Sequence, residues 1–216
     1  MRITAVTYNV RGFRAGVEAV ANVIERLAPD ALLLQETGSR RALRGFADTI
    51  GMSCADDPIA WGRRRAKDAV LVREPWHVLS HRQVRFAGSA LLYPRAALVA
   101  EVAGRGGRFW AVSTHLGLGG AERGRQARAL SELCRGLDGA VMIGGDLNMS
   151  ADARAMAPLL ERFTDAGAAA GPTFPANGAR IDFLLVSGDM EVARAWVEAS
   201  TASDHAPVAA ELEIAG

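Results

Sequence analysis

The chain has 216 residues, half of them hydrophobic and 23% charged, which is the balance of a soluble globular protein long enough for one domain spanning residues 1–216. Lys plus Arg (25) nearly equals Asp plus Glu (24), which excludes a strongly basic nucleic-acid coat and an acidic solvating tail but leaves room for a small basic groove. Lys67 is the only lysine; the arginine bias reads as the mark of a GC-rich genome, although arginine forks also suit phosphates.

Residues 2–10 alternate and predict a strand that ends at Asn9. Residues 16–28 place Val17, Val20, Ala21, Ile24, Leu27 and Ala28 on one helical face, and Pro29 with Asp30 stops that helix. The run ALLLQ then reads as a fully buried strand ending at Glu36, which completes a βαβ unit. Short strands are expected over 68–72, 77–86 and 95–102. Residues 108–114 predict a strand that ends at His115. The stretch GLGGAERG after it lacks both GxGxxG spacing and a GK[ST] ending, so it reads as a turn into a helix rather than a phosphate loop. That helix, 121–137, turns Ala127, Leu130, Leu133, Cys134 and Leu137 inward, and 140–145 is a buried strand that delivers Asp146. A short helix over 152–163 and strands over 181–187, 191–197 and 206–214 complete the chain. Residues 53–66 and 164–180 are expected to be irregular. Both βαβ units leave polar residues at the carboxyl ends of their strands, where ligands gather in α/β folds, so they are expected to face one cleft.

Cys54 and Cys134 are too few and too far apart for a thiolate metal site or a disulfide scaffold, and read as inert thiols in a reducing compartment. No apolar run approaches the ~20 residues that span a bilayer. The first residues lack the basic start, apolar core and cleavage site of a signal peptide. The expected location is cytoplasmic.

Six polar motifs stand at strand ends: Tyr8-Asn9-Val10, Gln35-Glu36, Thr114-His115-Leu116, Gly145-Asp146-Leu147-Asn148, Ile181-Asp182 and Ser203-Asp204-His205. In this order the sequence resembles the endonuclease/exonuclease/phosphatase family, metal-dependent phosphoesterases related to pancreatic deoxyribonuclease and the abasic-site endonucleases. Thr173-Phe174-Pro175 ahead of Arg180-Ile181-Asp182, and Pro94-Arg95 opening a strand, agree with it. The resemblance implies an α/β fold, a four-layer α/β sandwich of two packed mixed β-sheets flanked by helices.

Hydrolysing a phosphoester needs an activated water, charge neutralisation on the phosphoryl oxygens and help for the leaving oxygen. Glu36, Asn9 and Asp204 supply the hard oxygens that hold Mg²⁺ or Mn²⁺. The competing readings are a solvated strand end for Glu36 and a turn former for Asn9. Asp146 and Asn148, two apart, share a face if the strand continues, a carboxylate base beside an amide that orients water or phosphate; otherwise they form an Asx turn. Asp182 and His205 form a second constellation, in which the acid fixes the histidine tautomer and favours its charged form. The resemblance implies the same pair, with Asp204 turned the other way to the metal, and has His115 contact the phosphate or protonate the leaving group. Arg95 is either a phosphate contact or the cap of an edge strand. Asp68 replaces the family's frequent asparagine and could support His115 by hydrogen bonding. His77 and His81 match nothing and read as surface or structural residues. Arg63-Arg64-Arg65 reads as a solvated loop or a polyanion guide.

The expected activity is metal-dependent hydrolysis of a phosphoester, with DNA phosphodiesters ahead of lipid, inositol phosphate or nucleotide substrates. An inactive binding module is the third reading, and the complete acid and histidine set argues against it. No membrane or obligate protein partner is expected.

Overall fold

The computed structural model describes residues 1–57, 65–88, 93–104 and 106–215. Alternation along the strands sorts side chains between layers. In β1 (Arg2–Asn9) Ile3 and Ala5 join the core between two sheets, while Val6 and Tyr8 join the core beneath the helices. In β2 (Ala31–Gln35) Ala31 and Leu33 face the first core and Leu32 and Leu34 the second. These strands read as continuous apolar runs because both of their faces are covered.

Two helices cover the outer face of this sheet. α1 (Val17–Leu27) buries Val20, Ala21, Val23, Ile24 and Leu27, and ends where Ala28 turns left-handed before Pro29. α2 (Arg40–Ile50) starts at Ser39, whose hydroxyl accepts a hydrogen bond from Ala42 N, and ends at the left-handed Gly51. It buries Leu43, Phe46, Ala47 and Ile50. β3 (Ser53–Asp56), β4 (Ala69–Val72), β11 (Met190–Val197) and β12 (Val208–Ile214) complete the sheet in the order β11-β12-β1-β2-β4-β3.

The second sheet comprises β5 (His77–Arg85), β6 (Ala96–Gly104), β7 (Gly107–His115), β8 (Val141–Asp146), β9 (Thr164–Asp165) and β10 (Asp182–Val186), in the order β5-β6-β7-β8-β10-β9. Its outer face is covered by α3 (Gly120–Arg135), through Ala127, Leu130 and Cys134, and by α4 (Ala157–Leu160), through Leu159. β1 and β2 are parallel with α1 between them, and β7 and β8 are parallel with α3 between them, while the remaining pairs are antiparallel. Two mixed sheets packed face to face with helices outside make the expected four-layer α/β sandwich. No helix among the described residues is long and apolar enough to cross a membrane.

Three expectations for the elements are corrected. The helix expected over 152–163 is a 3-10 turn, Arg154–Met156, followed by the single turn of α4. Pro158 lacks the N–H that an earlier helical turn would use, so the α-helix begins beside it. The irregular stretches expected over 53–66 and 164–180 hold β3 and β9, and residues 58–64 lie outside the described residues. α2, to which no element was assigned from sequence, occupies residues 40–50.

Candidate active site

The inter-sheet core turns polar at one end, and the same alternation does it. Continuing the inward-facing series gives Thr7 and Asn9 on β1, Gln35 on β2, Ser113 and His115 on β7, Asp146 on β8 and Asp182 on β10. Gln35, fully buried, ties the sheets together beneath the site: its Nε2 donates to Thr7 Oγ1 at 3.2 Å and to Ser113 Oγ at 3.1 Å. The sheets approach so closely here that a Cβ on Gly144 would lie 2.8 Å from Thr7 Cβ and 3.0 Å from Leu33 Cβ.

Strand register sets the catalytic geometry. His115 pairs with Asp146 across β7–β8, and Asp182 with Asp146 across β8–β10. Asp146 Oδ2 lies 3.2 Å from His115 Nε2 and 3.7 Å from His205 Nε2, and accepts from Asn9 Nδ2 at 3.1 Å. Asp182 Oδ2 lies 2.8 Å from His205 Nδ1. The same oxygen accepts from Thr173 Oγ1 at 2.7 Å, and Thr173 Oγ1 in turn accepts from Ile181 N and Asp182 N. Phe174 packs on the His205 ring, centroids 4.9 Å apart. Sequence reading singled out Thr173 and Phe174 as family marks without a role.

Two residues reach the site by leaving the strand conformation. Glu36 has φ +53° and Asn148 φ +52°, both in the left-handed region that costs a non-glycine residue strain. Of the two readings left open for Asp146 and Asn148, the structure has the Asx turn: the strand ends at Asp146, whose Oδ1 accepts from Asn148 N. That turn brings the Asn148 amide to within 3.0 Å of His115 Nε2, so the turn and the site residue are one device. Glu36 lies with Oε1 3.4 Å from Asn9 Nδ2 and 3.8 Å from His115 Nδ1. Asp204 pairs with Arg11, Oδ2 to Nε at 3.2 Å, and its neighbour Ser203 donates to Asn9 O at 2.7 Å.

Burial shapes the charges. It pushes the Asp146 carboxyl up to about 7, helped by the negative charge of Asp182 and opposed by His205 and by hydrogen bonds from Asn148 N and Asn9. Burial also raises Asp182, against the His205 hydrogen bond and charge. For His205 burial disfavours the imidazolium, but the hydrogen bond and charge of Asp182, with Asp146 and Asp204 beyond, outweigh it and raise its pKa above the usual histidine value. Burial, with Arg95 and His205 adding to it, holds His115 well below that value. The site thus sets one imidazole whose neutral form is favoured and one whose charged form is favoured around one carboxyl group.

Glu36 and His115 open onto a pocket of about 850 Å³ that Arg95 also lines. Arg95 stands just before β6, its backbone oxygen accepting from Phe86 N. Asp68 is fully buried, its carboxyl held well above the usual range by burial against the opposing charges of Arg95 and Arg65. Asp68 makes no hydrogen bond to His115 among the described residues, where the close polar neighbours of His115 are Glu36, Asp146 and Asn148. Arg65 is no solvated loop residue. Its guanidinium donates to Thr37 Oγ1 at 3.2 Å and Gly38 O at 2.7 Å, pinning the turn that carries Glu36. Arg63 and Arg64 lie outside the described residues.

Two groups of donors could meet a metal ion. Asp146, Asp182 and His205 offer ligand atoms within 4.8 Å of one another, but His205 Nδ1 and Asp182 Oδ2 are committed to each other and to Thr173. Glu36 has a side chain 43% exposed and presents its carboxylate to the pocket, with the Asn9 amide beside it. The open Glu36 carboxylate is the oxygen donor that suits a hard divalent cation keeping several of its waters, whereas the Asn9 amide meets Glu36 through Nδ2 and its Oδ1 accepts from Arg11 N at 3.1 Å.

The chain is thus a two-sheet α/β sandwich with a carboxylate–histidine cluster at one end of its inter-sheet layer. The sequence profile described as the Endonuclease/Exonuclease/phosphatase family matches residues 6–205, and the chain belongs to that family. A Bacteroides vulgatus endonuclease/exonuclease/phosphatase is similar at 19% identity over 99% of both chains, with a TM-score of 0.85. The D. rerio TDP2 complexed with a single-strand DNA product is similar at 14% identity over 98% of this chain and 99% of that one (TM-score 0.83). A mannosyl-6-phosphatase from Bacteroides thetaiotaomicron is similar at 20% identity over 98% and 100% (TM-score 0.81). Among curated proteins no match was found.

Proposed function

We propose that this chain hydrolyses phosphoesters in a metal-dependent reaction and that its substrates are phosphodiesters of nucleic acid. The observation that carries the reading is the convergence of Asn9, Glu36, His115, Asp146, Asn148, Asp182 and His205 at one end of the inter-sheet layer. Asp146, its carboxyl pushed up by burial to about 7, takes the proton of the attacking water. The amides of Asn9 and Asn148 flank it and orient that water and the phosphate. Asp182 holds His205 as a cation aimed at the phosphoryl oxygen that gains charge in the transition state. His115, neutral, contacts the phosphate or the leaving oxygen, and Arg95 binds phosphate from the pocket wall. Glu36, with Asn9 and Asp204, would hold Mg²⁺ or Mn²⁺, which would supply charge neutralisation on the phosphoryl oxygens.

The basic pocket beside Glu36, and a family neighbour crystallised with single-strand DNA product, support nucleic acid. A second reading, a small or lipid phosphoester, is favoured by the pocket volume, which falls in the range that encloses small ligands, and by the sugar-phosphatase neighbour. An Mg²⁺/Mn²⁺ activity panel over plasmid DNA, abasic oligonucleotide, bis(p-nitrophenyl) phosphate, nucleotides, mannose 6-phosphate and phosphoinositides separates them. Cleavage of DNA above all others is expected. Turnover confined to a monoester removes the nucleic-acid assignment.

A further inference from the structure

The pocket beside Glu36 is far larger than one phosphoryl group requires, and its wall is cationic. Arg11, Arg14, Arg40, Arg65, Lys67 and Arg95 line it, against the acids Glu36 and Asp68. Four of the six cations already face an anion. Arg40 Nε lies 2.9 Å from Asp56, Arg65 reaches the same carboxylate at 3.5 Å, Arg11 pairs with Asp204, and Arg95 faces the buried Asp68. Arg14 and Lys67 differ. Among the described residues neither has a carboxylate at ion-pair distance, and the Lys67 ammonium lies over the ring of Tyr93, 5.3 Å from its centroid. That ring is itself 53% exposed at the pocket wall.

Both cations are mounted on backbone that is locked to the turn bearing Glu36. Arg14 follows a left-handed run at Arg11, Gly12 and Phe13, with φ of +45°, +67° and +58°. The run is fixed by Gly12 N donating to Glu36 O at 2.7 Å and by Phe13 packing on Phe46, centroids 5.1 Å apart. The backbones meet so tightly that a Cβ on Gly38 would lie 3.1 Å from Gly12 O. On the other side, Lys67 O accepts from Thr37 N at 3.0 Å. Their backbones are therefore held relative to Glu36 before any ligand arrives, which lowers the ordering cost of binding.

We propose that Arg14 and Lys67 form a second anion subsite, which takes a phosphate of the substrate that is not cleaved, while Tyr93 offers its exposed ring to the moiety joining the two phosphates. Preferred substrates then carry two phosphoryl groups bridged by a ring-bearing unit, as in a nucleoside 3′,5′-bisphosphate or two adjacent phosphates of a strand. The placing of the cleaved phosphate at Glu36 and His115 rests on the hydrolase reading; the subsite itself is tested without turnover.

The test is equilibrium binding in EDTA by titration calorimetry, with thymidine 3′,5′-bisphosphate and thymidine 5′-monophosphate as probes. Wild-type protein should favour the bisphosphate by about tenfold or more, since a charge-assisted contact is worth roughly that factor. Arg14→Ala and Lys67→Ala should each collapse the preference towards unity, and Lys67→Arg should restore most of it. Because Lys67 is the only lysine, its labelling by an amine reagent, read by peptide mapping, needs no substitution. The bisphosphate should protect it at concentrations where the monophosphate does not. Equal affinity for the two probes in wild-type protein, or a preference intact in both alanine variants with Lys67 unprotected, overturns the subsite. Failure to hydrolyse bis(p-nitrophenyl) phosphate with Mg²⁺ while the binding preference stands counts against the hydrolase reading alone. A short oligothymidylate in place of the bisphosphate tells a strand from a small substrate.

Discussion

Replacing Asp182 by asparagine separates charge from geometry at the centre of the site. Asp182 Oδ2 accepts from Thr173 and lies against His205 Nδ1, while Oδ1 is buried with no hydrogen-bond partner among the described residues. An asparagine carbonyl placed at Oδ2 keeps both contacts, and its NH₂ falls where an unpartnered atom already stands. The substitution then removes the charge and little else. A hydrogen bond to a charged group is worth about 1.5–3 kcal/mol against about 1 for a neutral one, so the expected loss of stability is about 1–2 kcal/mol. For a chain of this length that lowers Tm by about 2–8 °C. The effect on His205 is larger. Its pKa is raised because Asp182 outweighs burial, so the stabilisation linked to its charge is complete below the unfolded value of about 6.5 and is lost as pH rises through the higher folded value. Without the charge of Asp182, burial weighs more heavily and His205 titrates lower. The variant should lose its imidazolium at a lower pH than wild type and roughly 10²–10³ in turnover at pH 7, with residual activity shifted towards acid. Rates on bis(p-nitrophenyl) phosphate from pH 5 to 9, beside thermal melts at each pH, provide the assay. An alkaline limb that stays where wild type has it, or a large fall in Tm with turnover per folded molecule intact, would refute the dyad and leave Asp182 as a residue that only caps the turn before β10.

Glu36→Gln should weaken Mn²⁺ binding, measured by titration of the free-ion signal, yet barely move the melting curve, because the side chain is 43% exposed and the amide keeps its shape. Unchanged Mn²⁺ affinity would place the metal elsewhere. Thr173→Val deletes the hydroxyl that serves Asp182 Oδ2, Ile181 N and Asp182 N, and should cost about 2–4 kcal/mol in a denaturant melt together with a fall in kcat that Thr173→Ser restores. Gly144→Ala should destabilise the sandwich by about 1–3 kcal/mol or more, since the new methyl would meet Thr7 Cβ and Leu33 Cβ, which sit on rigid strands; a melt indistinguishable from wild type would show that the sheets can part there.

The two βαβ units were legible because their strands are buried on both faces and their helices carry long amphipathic stripes. The inward parity of Asn9, His115 and Asp146 follows from the same alternation. Glu36 and Asn148 break that parity. Their positions depend on left-handed backbone, which alternation does not encode and which neither residue type demands. α2 carried a readable signal: Ser39 as N-cap, Leu43, Phe46, Ala47 and Ile50 at helical spacing, and Gly51 at the end. The roles of Arg65 and Thr173 were hidden for another reason. Each acts through a partner distant in sequence, Arg65 on the Glu36 turn and Thr173 on Asp182, and residue type alone does not reveal such pairing.

The central claim is that the buried Asp146, set between two histidines and beside Glu36, drives metal-dependent phosphoester hydrolysis. The most direct measurement is the rate of bis(p-nitrophenyl) phosphate hydrolysis by wild type and by Asp146→Asn, each with Mn²⁺ and with excess EDTA, alongside a melt of every sample. Wild type with Mn²⁺ should turn over; EDTA should abolish its activity without unfolding it; and Asp146→Asn should lose at least about 10²-fold while remaining folded. Full activity in EDTA, or wild-type turnover by folded Asp146→Asn, would contradict the account.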